Sequence, residues 1–117
     1  MSLSIYELLQ HIRDEVNYLL SVSQNLSFEE FAKNETLIRA FSRSLEIIGE
    51  ATKKIPDSFK DKYKDVPWRQ ISGMRDKLIH DYFGIDLEIV WDVIKNKLPE
   101  LKSHLEVIFK RFDTDGK

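Results

Sequence analysis

The sequence predicts an all-α protein, an antiparallel four-helix bundle with one additional short helix. Apolar residues recur at three-and-four spacing through four long segments, the signature of helices that bury one stripe. Only 4 Gly and 3 Pro occur in 117 residues, too few for a turn-rich all-β fold. The 42% hydrophobic and 32% charged composition gives each helix an apolar face and a solvated one, which argues against disorder. A chain of this length holds one core, so residues 1–112 are expected to form a single bundle and residues 113–117 a frayed tail.

The first helix is expected from Ile5 to Leu20, with Ile5, Leu8, Ile12, Val16 and Leu19 on its stripe. Ser27 and Glu30 have the spacing of a capping box, in which each side chain satisfies the other's free amide, so a short helix starts there. Asn34 caps the next one, about Glu35 to Ile55, whose stripe is Leu37, Phe41, Leu45, Ile48 and Thr52 and whose end is marked by Pro56. After a connection rich in lysine and aspartate, a third helix is expected from Pro67, a first-turn proline, to Tyr82, with Gly84 as its C-terminal cap. Asp86 caps a fourth helix carrying Val90, Ile94, Leu98, Leu101, Leu105, Ile108 and Phe112, and Pro99 is expected to kink it by removing one backbone bond. Trp68 and Trp91 are read as core or rim residues.

Composition narrows the chemistry. With no cysteine there is neither a disulfide framework nor a zinc–thiolate site. His11, His80 and His104 fall on different expected helices without carboxylates at ligand spacing, so no metal and no cofactor is expected. A glycine-rich phosphate loop and a nucleophile elbow are both lacking. Glu46 and Glu50, one turn apart, suit ion pairs with Arg43, Lys53 or Lys54 better than a catalytic carboxylate pair. No apolar run approaches the ~20 residues of a membrane span, and the N-terminus lacks a signal-peptide pattern, so a cytoplasmic protein without membrane partners is expected. Net charge is -2, but between Arg39 and Lys77 ten basic residues face six acidic ones, a mild hint of an anion-facing middle or simply a solvated lysine-rich connection.

The third helix carries three side chains with chemistry. At about 100° per residue, Ile71, Met74, Leu78 and Tyr82 share the core face, Arg75 flanks it, and Gly73, Asp76 and His80 form a second, outward surface. A helical glycine costs roughly 1 kcal/mol against alanine, which close approach of another backbone would offset. A second copy of the chain across a two-fold axis would provide that approach and gather two Arg75 and two His80 in one cleft. Within one chain the two side chains stand about 140° apart. Plainer roles stay open: His80 as a partner of the helix dipole, Arg75 laying its stem over the core, Tyr82 a core tyrosine with its hydroxyl at the rim.

The pattern Arg75, four residues, His80, one residue, Tyr82 resembles the Arg-x4-His-x-Tyr motif of the HepT-like branch of the HEPN superfamily, the toxins of HepT/MntA toxin–antitoxin pairs. The likeness extends to "AFSRSLEIIGEATKKIP", "PWRQISGMRDKLIHDYFGID" and "VWDVIKNKLPEL", so it covers most of the chain. It implies a homodimeric helical bundle with metal-independent endoribonuclease activity in a site shared by both protomers. Arg75 and His80 match the catalytic positions, and Gly73 and Asp76 would support the shared surface. Tyr82 matches the tyrosine to which an MntA-like minimal nucleotidyltransferase adds AMP to silence the toxin. The alternative is a non-catalytic, nucleotide-binding or regulatory subunit of a nucleotidyltransferase.

Overall fold

The computed structural model describes residues 3–78 and 84–114. Its order is α1 (Ile5–Ser23), α2 (Phe28–Lys33), α3 (Glu35–Lys54), α4 (Asp57–Lys60), α5 (Trp68–Ser72), α6 (Met74–Leu78), α7 (Leu87–Asp92), a π-helical segment (Val93–Lys97) and α8 (Leu98–Thr114). Among the described residues there is no strand, and the all-α class holds.

Capping chemistry sets where the helices begin. Ser4 with Glu7 and Ser27 with Glu30 each close a reciprocal capping box at α1 and α2. Asn34 accepts from the amide of Leu37 to start α3, and Asp86 accepts from the amide of Ile89 to start α7. Burial then holds the helices together: each fully buried Leu, Ile or Phe contributes about 1.5–3 kcal/mol, more than a typical cap. The expected stripes supply that core, with Leu8, Ile12, Val16 and Leu19 of α1, Phe41, Leu45, Ile48 and Thr52 of α3, and Leu98, Leu101, Leu105 and Ile108 of α8 all buried.

Side-chain pairs fix the directions. Tyr18 meets Phe41 edge-to-face at 6.2 Å while Glu15 accepts from Ser44, so residue numbers run oppositely along α1 and α3. Tyr6 meets Phe109 and Phe112 at one end of α1, and at the other end Lys95 donates to the Ser23 carbonyl at 2.7 Å, so α7–α8 also runs antiparallel to α1. Phe31 of α2 stacks between Phe41 and Trp91 at 5.2 and 5.4 Å, which closes one end of the bundle. Trp68 is half-buried against the core and donates its indole N–H to the Tyr63 carbonyl at 3.0 Å.

Three elements differ from expectation. The third helix is not continuous: it stops at Ser72, turns at Gly73, and restarts at Met74, with Pro67 just before the first helical residue. Gly73, without a side chain, adopts φ -87° and ψ 7°, between helical and extended, and ends α5 by donating to the Arg69 carbonyl at 3.0 Å. In the fourth helix the strain around Pro99 appears one turn earlier. Pro99 offers no N–H to the Lys95 carbonyl, and the helix widens so that the Leu98 amide reaches Val93, five residues back. Finally, α1 continues to Ser23 and α8 to Thr114, past the points where the stripes thin out.

The capping boxes make stability acid-sensitive. The Ser4 and Ser27 backbone amides, followed by their hydroxyls, hold the Glu7 and Glu30 carboxyls below the ordinary glutamate pKa. Because the folded pKa is depressed, this stabilisation is present above the unfolded value and is lost as pH falls through the folded one. Urea unfolding should therefore show wild type more stable than the Glu7→Gln/Glu30→Gln double variant at neutral pH, with the difference shrinking as pH falls through the carboxylate range.

Candidate functional site

Helix α6 is short, and its position is set by what lies beneath it. On α3, residues 43, 46 and 50 share a face roughly opposite the buried stripe, so Arg43, Glu46 and Glu50 line up toward solvent. One turn along α3 sits Gly49, and a Cβ there would lie 3.4 Å from the carbonyl oxygens of both Ile71 and Ser72. The end of α5 thus rests almost directly on the α3 backbone. The Gly73 turn follows, and α6 starts with Met74 buried and Arg75, Asp76 and Lys77 exposed.

That seating brings Arg75 to Glu46. The Arg75 Nε lies 2.7 Å from Glu46 Oε2, while Glu46 Oε1 stands 2.9 Å from Arg43 Nη1. Glu50 Oε1 is 3.7 Å from the same Arg43 nitrogen. The Glu46 side chain is 23% exposed against 58% for Arg75 and 61% for Arg43, so the carboxylate is the embedded member of the group. The hydrogen bond from Arg43 to Glu46, with the charges of Glu50 and Glu15 behind it, raises the Arg43 pKa above its already high ordinary value. Among the described residues the two terminal nitrogens of Arg75 meet no partner, so its fork remains available to an anion.

The other expected site residues fall out as follows. Asp76 is exposed beside Arg75, its amide donating to the Gly73 carbonyl at 3.1 Å. Gly73 marks the break between α5 and α6, and a close backbone approach within the chain occurs at Gly49. His80 and Tyr82 lie outside the described residues. The expected Arg43 pairs with Glu46 and Glu50 form, whereas Lys53 and Lys54 occupy the last turn of α3, where cations suit the helix dipole. Part of the basic excess in the middle of the chain is therefore helix-end chemistry.

Sequence reasoning missed the Arg75–Glu46 contact because the partners are far apart in the chain. A glycine inside a strongly periodic helix is the signal that could have found it: such a residue flags a docking neighbour, and an acid one turn away is then a natural partner for that neighbour's cation. A cleft of about 410 Å³ also borders α6, between it and the α7–α8 rod, with Ile71, Met74, Lys77, Val93, Lys97 and Leu98 among its walls. Arg75 is not one of them, so the cleft and the arginine face different sides of α6.

Comparison with known proteins gives a consistent result. The Ribonuclease HepT-like family model matches residues 8–108. The chain is 48% identical over 103 residues to a protein of Caldanaerobacter subterraneus subsp. tengcongensis, covering 88% of this chain and 92% of that one. It is 42% identical over 113 residues to a protein of Methanocaldococcus jannaschii, covering 97% and 88%. A Thermococcus cleftensis protein is 38% identical over 110 residues, covering 94% and 100%. The first two bear provisional names as RNases, and the third is provisionally named ribonuclease HepT. No solved structure matches the chain.

The Gly49 contact can be tested directly. Alanine there adds a Cβ at ordinary contact distance and should cost little, whereas Gly49→Leu drives a side chain into the α5 carbonyls and should lower unfolding stability by about 1–3 kcal/mol in urea titrations.

Proposed function

This chain belongs to the HepT-like ribonuclease family, and on that premise we propose that it is an endoribonuclease toxin, acting as a homodimer without metal and silenced by AMP transfer to Tyr82. The observation that carries this reading is Arg75: a cation pinned by its Nε to Glu46 on an exposed face, its terminal fork unoccupied among the described residues.

RNA brings its own nucleophile, the 2'-hydroxyl. Cleavage needs a base to remove that proton, an acid to protonate the departing 5'-oxygen, and a cation to steady the charge that grows on the phosphate. Arg75 stays protonated and its planar fork matches phosphate oxygens. His80, with an ordinary pKa near ~6.5, exchanges protons around neutrality, and a positioned acid or base contributes about 10²–10⁴-fold. Two copies meeting across the exposed face of α6, which carries Arg75 and Asp76, supply two histidines, one for each proton transfer.

Tyr82 gives the site its off-switch. An MntA-like minimal nucleotidyltransferase joins the tyrosine oxygen to the α-phosphorus of ATP and releases pyrophosphate. The attached phosphate competes with RNA for Arg75, and the adenosine obstructs the cleft.

In chelator, purified wild type should cut RNA, and Arg75→Ala or His80→Ala should abolish cutting while leaving helical circular dichroism unchanged. Full activity in a well-folded His80→Ala protein overturns the mechanism. Tyr82→Phe should keep cutting and remain active after incubation with the nucleotidyltransferase and ATP, conditions under which wild type falls silent.

A further inference from the structure

We infer that Glu46 is a positioning residue for RNA cleavage, gripping the Arg75 guanidinium at Nε so that its two terminal nitrogens meet the scissile phosphate. This rests on the ribonuclease reading of Arg75 given above.

The geometry divides the labour between the two oxygens of one carboxylate. Oε2 takes Arg75 at 2.7 Å and Oε1 takes Arg43 at 2.9 Å, so an arginine on each side resists rotation of the carboxylate. Glu46 is also the least exposed of the three side chains, which makes it the fixed point of the group. A guanidinium is planar, so a partner at Nε together with the aliphatic stem defines the plane in which the terminal nitrogens lie. An arginine bound through its two terminal nitrogens has its end-on edge occupied; one bound at Nε keeps that two-pronged edge open.

A carboxylate next to an incoming phosphate also repels it, and Arg43 counters that. Arg43 sits between Glu46 and Glu50, which together favour its protonated form. Removing Glu46 therefore has two opposed effects: it relieves repulsion of RNA, and it releases Arg75 from its plane. Turnover should fall while substrate binding holds or tightens. A carboxylate that merely repelled substrate would give faster cleavage on removal, and one that merely stabilised the fold would lower the melting temperature.

The test is steady-state cleavage of an RNA oligonucleotide by full-length wild type, Glu46→Gln, Glu46→Ala, Arg75→Lys and Glu46→Ala/Arg75→Lys. Glu46→Ala should lose about ten- to a hundredfold in kcat, as expected for misplacing a catalytic group, with KM unchanged or lower and Tm unchanged. Glu46→Gln should fall in between, since it keeps a polar atom beside Nε at 2.7 Å while removing the charge that attracts the guanidinium. In the Arg75→Lys background, which has no Nε–H, Glu46→Ala should cost nothing further. In parallel, side-chain ¹⁵N NMR of the free protein should show the Arg75 Nε resonance, identified by its loss in Arg75→Lys, shifted in Glu46→Ala. Unchanged kcat in Glu46→Ala, or an equal loss in the Arg75→Lys background, overturns the inference while leaving the ribonuclease reading intact. A wild type that leaves RNA whole overturns that reading instead; the Nε resonance then decides separately whether Glu46 holds Arg75, a signal unmoved by Glu46→Ala counting against it.

Discussion

At Gly49 the surface of α3 drops to bare backbone, and the carbonyls of Ile71 and Ser72 come to 3.4 Å from the place a Cβ would take. Everything that gives Arg75 its surroundings follows from that approach. With α5 seated there, Gly73 turns the chain and α6 begins over the upper turns of α3, within reach of Glu46. A bulkier residue at 49 would lift α5 and carry Arg75 away from its carboxylate, even though position 49 touches neither.

Helix α3 can serve as this platform because its two faces do different work. Phe41, Leu45, Ile48 and Thr52 are buried in the bundle, while Arg43, Glu46 and Glu50 share a face with more water. Exposed ion pairs add little to stability, so the charged face is held in place by the apolar one rather than the reverse. The proposed site is thus borne on a rigid helix and approached by a short one, an arrangement that restricts the geometry of the arginine more than a loop would.

How much of this the sequence disclosed depends on range. Caps and stripes are local: Ser27 with Glu30, Asn34, Asp86 and the alternation of apolar residues in α1, α3 and α8 all read correctly, because a residue three or four positions away decides them. The break at Gly73 did not read, since Ile71 and Met74 keep helical spacing across it and both are buried. The widening before Pro99 was legible in cause but not in form, as a missing N–H dictates that the ladder fails without dictating how. Glu46 with Arg75 depends on how two helices are seated, which no local pattern encodes. His80 and Tyr82 rest on the motif resemblance alone, and the described residues do not include them.

The last turn of α1 contains no basic residue to complement its carbonyls, and the cation that reaches one of them is Lys95, which also lies 4.9 Å from the centre of the Trp91 ring. Synthesis runs from the N-terminus, so α1, α2 and α3 leave the ribosome before this lysine exists. Until the C-terminal third arrives, the Ser23 carbonyl has the Leu26 amide at 3.2 Å, and its contact with a cation waits on the docking of a rod encoded seventy-two positions downstream.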